Sequence, residues 1–148
     1  MVKFLDKEEE LQVVAAIKAA EARTSGEIRV HIARKCEGTP LEAAIAVFKR
    51  LKMQHTQHRN GVVLYIAPAQ KQFAVFGDTG IDAATMDGFW DSTAAILQDY
   101  FRKGQFCEGV CNAVADIGEQ LHRYFPSTET DVNTNELSDD ISYDEYFN

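Results

Sequence analysis

The sequence predicts an α/β fold in which helices cover a short mixed sheet. Helical and strand-like segments follow one another in the order helix, strand, helix, strand, strand and then helices, an order typical of α/β layers. Residues 27–33 alternate, with Ile28, Val30 and Ile32 on one face, and residues 62–67 form an unbroken apolar run that suits a strand covered on both faces. The helix between these strands predicts a right-handed crossover and therefore parallel pairing.

The first helix is predicted from its N-terminal capping pattern. Asp6 is followed three residues later by Glu9, which together form a capping box, and apolar residues then recur at helical spacing to about Ala22. The sequence Thr-Ser-Gly at 24–26 interrupts this helix before the first strand begins.

A second helix is predicted to start at Pro40, because Thr39 supplies a capping hydroxyl and Glu42 a carboxylate in the first turn. It leads through an Asn-Gly turn to the strand at 62–67. Residues 72–76 then return as an antiparallel partner of that strand.

Two further helices are predicted in the second half of the chain. Asp87 is a predicted cap for the first of them, and Gly104 interrupts the pattern. Residues 106–124 carry apolar side chains at helical spacing, and Pro126 stops this last helix.

The length of 148 residues, with 45% apolar content, predicts a single domain at 1–126 followed by an acidic tail at 127–148. The tail is predicted to be disordered or to be laid along the surface by Leu137, Ile141, Tyr143 and Phe147. It holds seven acids and no Lys or Arg, so the rest of the chain has sixteen acids and fifteen basic residues. The formal net charge of -8 is therefore largely a property of the tail.

The charge distribution also excludes classes of partner. No basic stripe is present to bind a phosphate backbone, so a nucleic-acid partner is not expected. The N-terminus lacks a signal-like apolar region, and no apolar run approaches the roughly 20 residues that span a bilayer. The three cysteines do not form a disulfide framework, which favours a soluble cytoplasmic protein. The oligomeric state is not predicted by these patterns.

Polar residues from separate segments are predicted to meet at one edge of the sheet. Parallel pairing brings the starts of the first two strands together, and the antiparallel third strand ends at the same edge. The residues that converge there are Glu27, Asn60, Asp78 and Asp82. Carboxylate and amide oxygens suit hard cations such as Ca²⁺ or Mg²⁺. Carboxylates gathered at one edge would repel one another unless a cation or shared protons compensated them, which favours a metal site.

Each of these residues also has an ordinary structural interpretation. Asn60 and the glycine after it form a common turn, Asp78 and Asp82 are suitable helix or turn caps, and Glu27 is suited to a solvated surface. The stretch Phe-Gly-Asp-Thr-Gly-Ile-Asp at 76–82 lacks the Gly-Lys-Ser/Thr ending of a phosphate-binding loop.

Two pairs are weaker metal candidates. His55 and His58 have zinc-like spacing but lack nearby cysteine or acidic partners. Cys107 and Cys111 share a helix face, where small buried thiols commonly serve as packing residues.

Six stretches, taken in order, resemble the TPM domain family, named for thylakoid lumen, photosystem-repair and nematode receptor-modulator proteins. They are TSGEIRV at 24–30, RNGVVLYIA at 59–67, FGDTGID at 76–82, FWD at 89–91, FRKGQF at 101–106 and YFP at 124–126. The sequence NELSDDISY at 135–143 is similar to the tail of the small stand-alone bacterial members.

The resemblance implies a three-layer α/β/α sandwich of Rossmann-like appearance with an acidic cleft that binds divalent cations. Some plant members have a reported acid phosphatase activity. Residue by residue, the resemblance assigns the cleft to Glu27, Asn60, Asp78 and Asp82, with Asp87, Asp91, Glu108 and Asp116 as acidic neighbours. Many members also carry a signal peptide and a membrane anchor, and this sequence shows neither.

The leading functional hypothesis is a Ca²⁺- or Mg²⁺-binding module with a binding or regulatory role, and a protein partner is among its expected ligands. The alternative is a metal-assisted phosphatase of phosphomonoesters, in which Asp78 is nucleophile or directs water and Arg59 is the convenient phosphate partner. A third hypothesis is a structural or interaction protein whose function resides in the acidic tail. Whether the chain is an enzyme stays open at this stage.

Overall fold

The computed structural model describes residues 4–84, 88–127 and 140–144, and it describes their side chains except at 82–84. The helices are α1 (Lys7–Glu21), α2 (Pro40–Arg50), α3 (Thr79–Ala84), α4 (Asp91–Arg102) and α5 (Phe106–Tyr124), and the strands are β1 (Glu27–Ile32), β2 (Gly61–Ala67), β3 (Gln72–Gly77) and β4 (Ser142–Tyr143). Within the described residues the strands form one mixed sheet in the order β3-β2-β1-β4.

The sheet lies between two helical layers, which confirms the predicted α/β/α sandwich. One layer contains α1, α4 and α5, whose apolar residues pack against Ile28, Val30 and Ile32 of β1. The other layer is α2, where Phe48 packs with Val63 on the opposite face of the sheet. Every residue of β2 is buried, as the unbroken apolar run predicts for a strand with both faces covered.

Helix starts follow the predicted capping chemistry. The Asp6 side chain accepts a hydrogen bond from Glu9 N at 2.8 Å, and the Glu9 side chain accepts one from Asp6 N at 3.1 Å. Thr39 Oγ1 accepts a hydrogen bond from Glu42 N at 3.2 Å, and Pro40 occupies the first turn of α2. These contacts satisfy backbone donors that the helices leave without internal partners.

The crossover through α2 makes β1 and β2 parallel, and β3 returns antiparallel to β2, both as predicted. The sequence gives no sign of β4, which pairs parallel with β1 from the far end of the chain. Ile141 and Tyr143 belong to the same buried core as α1 and α5. The boundary at residue 126 stays a prediction, and Leu137 and Phe147 lie outside the described residues.

The chain passes from β3 into a short helix after a single residue, Asp78. Helix α3 begins at Thr79, directly after Asp78, and neither Gly77 nor Gly80 has a positive φ. The next helix, α4, follows Trp90 as its N-cap residue, whereas the predicted cap Asp87 lies outside the described residues. No helix among the described residues is both long and apolar enough to cross a bilayer.

Candidate metal site

The starts of β1 and β2 and the end of β3 lie side by side at one edge of the sheet. Glu27 pairs in register with Gly61, and Glu27 N donates a hydrogen bond to Asn60 O at 3.4 Å. Across the other side of β2, Asp78 N donates to Gly61 O at 2.9 Å. The backbone therefore brings the three predicted segments together.

Two buried carboxylates flank a glycine at this edge. Glu27 is 1% exposed and Asp78 is 2% exposed. Because both residues align with Gly61, their Cα atoms are separated by two strand spacings, or about 10 Å. A Cβ on Gly61 would lie 3.3 Å from Met53 O and 3.7 Å from both Met53 Cε and Phe48 Cε2, so these groups cover the glycine on the face where a side chain would start.

Asp78 is paired with Arg59 in a two-pronged ion pair. Arg59 Nε lies 2.7 Å from Asp78 Oδ2, and Arg59 Nη2 lies 2.8 Å from Asp78 Oδ1. Thr79 N also donates to Oδ1, at 2.7 Å, so Asp78 binds the first turn of α3 as well. The hydrogen bond with Asp78 raises the pKa of the Arg59 guanidinium above its usual value. The two side chains differ in environment, since that of Arg59 is 48% exposed and that of Asp78 is 3% exposed.

The backbone around this pair is held by a close contact with α3. Gly80 N donates to Arg59 O at 2.8 Å. A Cβ on Gly80 would lie 2.4 Å from His58 O and 2.6 Å from Arg59 O, so a larger residue does not fit without displacement of the backbone. Arg59 itself has φ of 50°, in the left-handed region. Gly80 is therefore required by its close approach to the backbone of residues 58 and 59 rather than by its own backbone angles.

Asn60 is buried beside Glu27 and contacts the segment before β1. It is 1% exposed, and its Nδ2 donates to Ser25 Oγ at 3.2 Å. Gly26, between Ser25 and Glu27, lies so close to α5 that a Cβ would approach Leu121 Cδ1 to 2.9 Å. The end of α5 therefore supports this edge of the sheet.

Two of the other predicted acids have side chains outside the described part of the structure, and a third lies far along α5. Asp82 belongs to α3, and its side chain is outside the described part of the structure, as is the whole of Asp87. Glu108 lies in the first turn of α5, about 20 Å along the helix from Leu121 at a rise of ~1.5 Å per residue.

The last two predicted acids, Asp116 and Asp91, lie in α5 and α4. Asp116 accepts hydrogen bonds from Ser92 Oγ and Thr93 Oγ1, both at 2.7 Å, and so links α5 to α4. Asp91 is the first residue of α4.

The donor set at the edge fits a hard cation by its chemistry. Glu27, Asn60 and Asp78 offer carboxylate and amide oxygens, which Ca²⁺ and Mg²⁺ prefer. Among residues 4–84, 88–127 and 140–144, no group of three or more His, Cys, Asp or Glu residues is arranged to hold a metal ion. The charge of Asp78 is satisfied by Arg59.

A second polar cluster, at the other end of β1, has no sequence signal. His31 is fully buried, with its Nδ1 2.9 Å from Ser142 Oγ and its Nε2 2.8 Å from Asp144 Oδ1. The His31 ring stacks on Tyr65 at 5.6 Å between centroids. Burial lowers the pKa of His31, and the hydrogen bond with Asp144 partly opposes this effect. The sequence leaves His31 isolated because its partners are more than 100 positions away.

The cysteine pair has the properties of packing residues. Burial raises the pKa of the Cys107 thiol to about 12, and burial also raises the pKa of Cys111. Protonated thiols of this kind are poor nucleophiles and poor metal ligands.

Comparison with known proteins finds one matching family and solved structures of similar fold. The model of the TPM domain matches residues 1–120. The NMR structure of BA42 protein from the psychrophilic bacterium Bizionia argentinensis is 40% identical, with a TM-score of 0.89 over 97% of each chain. The N-terminal domain of cg2496 protein from Corynebacterium glutamicum has the same fold at 14% identity, with a TM-score of 0.63 over 78% of this chain and 73% of that one. No curated protein matches with significance. The chain belongs to the TPM domain family.

Proposed function

We propose that this protein is a soluble, cytoplasmic Ca²⁺- or Mg²⁺-binding module with a binding or regulatory role. The observation that carries the proposal is the pair of buried carboxylates, Glu27 and Asp78, on either side of Gly61 at one sheet edge. A buried ionised carboxylate is costly unless positive charge and hydrogen bonds compensate it. A divalent cation held by both acids would compensate Glu27 and Asp78 together and would replace Arg59 as the counter-ion of Asp78.

The residues that would hold the ion are Glu27, Asn60 and Asp78, with Asp82 as the fourth predicted ligand. Asn60 and Glu27 are adjacent through the backbone hydrogen bond between them, so their side chains start from neighbouring positions. The bound ion would supply positive charge that draws these oxygens together. Cation binding would thereby tie β1 to the β3–α3 junction.

Binding is favoured over catalysis by the state of Asp78. A nucleophilic carboxylate must reach its substrate, whereas the Asp78 side chain is 3% exposed and both of its oxygens contact Arg59. The phosphatase hypothesis therefore ranks second. It predicts that purified protein hydrolyses a generic aryl phosphate and that Asp78→Asn abolishes this activity; activity equal in both proteins would identify a contaminant.

The cation hypothesis is tested by titration of chelator-treated protein with Ca²⁺ and with Mg²⁺. Calorimetry should give a binding isotherm, and the melting temperature should rise because ligand binding to the folded state alone stabilises it by about 2.7 kcal/mol at a hundredfold excess over Kd. Absence of both signals at millimolar concentrations would overturn the proposal.

The same titration on variants locates the site. Glu27→Gln and Asp78→Asn each remove one charge with little change in shape, so each should weaken binding by tenfold or more, about 1.4 kcal/mol. The matched control is Asp99→Asn, which removes an aspartate that is 56% exposed and pairs with Lys103 on α4. If the control weakens binding as much as the two site variants, the ion binds elsewhere.

A further inference from the structure

We infer that Arg59 is the resident counter-ion of Asp78, which an incoming divalent cation displaces, and that this exchange sets the affinity of the site. The inference rests on the proposed cation-binding function and adds the residue that opposes it. Arg59 is a competitor for the site rather than a ligand in it.

The competition follows from how the Asp78 carboxylate is used. Oδ1 accepts from Arg59 Nη2 and from Thr79 N, and Oδ2 accepts from Arg59 Nε. Two oxygens have about four lone-pair positions, so most of the carboxylate is engaged. A cation that approached the remaining position would also lie a few ångströms from a guanidinium of like charge, and the two would repel each other. Cation binding at Asp78 therefore requires Arg59 to leave.

The exposures of the two side chains decide which partner can leave. The Arg59 side chain is 48% exposed, so its guanidinium can rotate into water and remain solvated. The Asp78 side chain is 3% exposed and its oxygen also holds the first turn of α3, so it has no comparable route to solvent. The mobile member of the pair is the arginine.

The backbone of Arg59 is fixed while its side chain is not. The hydrogen bond from Gly80 N to Arg59 O, at 2.8 Å, and the close approach of Gly80 hold this turn against α3. Rotation of the Arg59 side chain can therefore vacate Asp78 without moving β1, which carries Glu27, or the junction between β3 and α3, which carries Asp78. The site keeps its framework in both states.

The exchange also explains how the acid is kept buried when cation is scarce. Without Arg59, Asp78 would be a buried charge that lacks its counter-ion, which is destabilising. With Arg59, the cation-free protein is stable, but every binding event must break two charge-assisted hydrogen bonds. Arg59 thus stabilises the empty site and raises the concentration of cation needed to fill it.

The test compares wild type with Arg59→Gln by calorimetric titration with Ca²⁺ and Mg²⁺. Arg59→Gln should bind the cation at least about tenfold more tightly than wild type. Without cation it should melt at a lower temperature than wild type, and saturating cation should raise its melting temperature by more. The matched control is Arg23→Gln, which also removes one exposed guanidinium that is paired with an acid, Glu119. Arg23→Gln should leave the affinity within about twofold of wild type.

A direct readout uses wild type alone. The Arg59 Nε–H resonance of protein labelled with ¹⁵N should shift toward that of a solvated guanidinium as cation saturates the site, while the Arg23 resonance stays in place. This measurement decides the case even if Arg59→Gln does not fold.

The outcomes separate this inference from the proposed function. If wild type binds cation, but Arg59→Gln binds no more tightly or the Arg59 resonance is unchanged at saturation, the exchange is overturned and cation binding stands. If neither wild type nor Arg59→Gln binds Ca²⁺ or Mg²⁺, the proposed function fails, and the exchange fails with it.

Discussion

Asp144 Oδ1 lies 2.8 Å from His31 Nε2, so the C-terminal segment is bound directly to the central strand β1. The second carboxylate oxygen, Oδ2, accepts a hydrogen bond from Arg34 N at 2.8 Å. The carboxylate oxygens of Asp144 act as acceptors in both contacts, so we assign the His31 proton to Nε2. Ser142 Oγ–H then donates to Nδ1. Residues 140–144, which we term the C-terminal latch, are fixed by these contacts.

The first prediction is that acid weakens the fold through His31. Burial lowers the pKa of His31 below the ordinary value of about 6.5 that it has when unfolded. The unfolded state therefore takes up a proton that the folded state resists. Stability is complete above about pH 7 and falls as pH drops below ~6.5, with a slope of at most about 1.4 kcal/mol per pH unit. Urea denaturation between about pH 8 and about pH 5.5 measures this slope.

The groups that face His31 determine the size of the effect. Asp144 raises its pKa, whereas Arg29 and Arg50 lower it, and the ring of Tyr65 covers one face. The control is His31→Gln, which retains the other three histidines and should lose stability much less steeply over the same pH range. Equal slopes for the two proteins would exclude His31 as the source.

The second prediction concerns the charge of the latch. Asn at position 144 has one oxygen acceptor and one amide donor, but both neighbours, His31 Nε2–H and Arg34 N–H, are donors. Asp144→Asn should therefore leave one of them unmatched and destabilise the protein by about 1–3 kcal/mol. Chemical denaturation measures the loss, and amide hydrogen exchange at Arg34 should become faster.

A surface variant provides the comparison for Asp144→Asn. Asp99 pairs with Lys103 within α4, and both side chains are more than half exposed. Asp99→Asn should change stability by less than about 0.5 kcal/mol. A loss of similar size in both variants would show that net charge, rather than the latch, is responsible.

Much of the fold follows from local chemistry that can be read from the sequence. Thr39 and Glu42 predict the start of α2 because capping depends on residues three positions apart. The sheet edge is predictable too, because a helix between two strands makes them parallel and so aligns their starts. That topology, rather than any motif, is what brings Glu27 beside Gly61.

The features that the sequence does not predict depend on contacts between distant parts of the chain. β4 is two residues long and follows an acidic stretch, so no periodicity indicates it, and its pairing with His31 spans 111 positions. The ion pair of Arg59 and Asp78 requires knowledge that α3 packs on the turn before β2. A sequence shows charges but does not show which of them already have partners.

The third prediction tests the packing of α1 on α5. A Cβ on Gly118 would lie 2.6 Å from the Cβ of Ala20, so the helices touch at this point. Ala is a better helix former than Gly by about 1 kcal/mol, but the steric clash should reverse the sign. Gly118→Ala should therefore destabilise the protein by about 1–3 kcal/mol, as measured by chemical denaturation.

The partner residue supplies the control for Gly118→Ala. Ala20→Gly removes the methyl group that is in the way, so the double variant should recover part of the loss beyond additivity. Strictly additive effects of the two substitutions would mean that the two positions do not compete for the same space.

The fourth prediction separates the framework of the candidate site from its ligands. Gly80→Ala places a methyl group against His58 O and Arg59 O, and backbone oxygens cannot move aside as a flexible side chain can. The turn that carries Arg59 should be displaced from α3, so the fold should lose about 1–3 kcal/mol and the hydrogen bond from Gly80 N to Arg59 O should weaken. Thermal melting measures the loss, and faster amide hydrogen exchange at residue 80 than in wild type, at a temperature where both proteins are folded, reports the weakened contact. Thr79→Ala is the matched control, because it alters an exposed side chain in the same helical turn and keeps the N–H that binds Asp78. If the two variants prove equally stable, the close approach at Gly80 does not hold the turn in place.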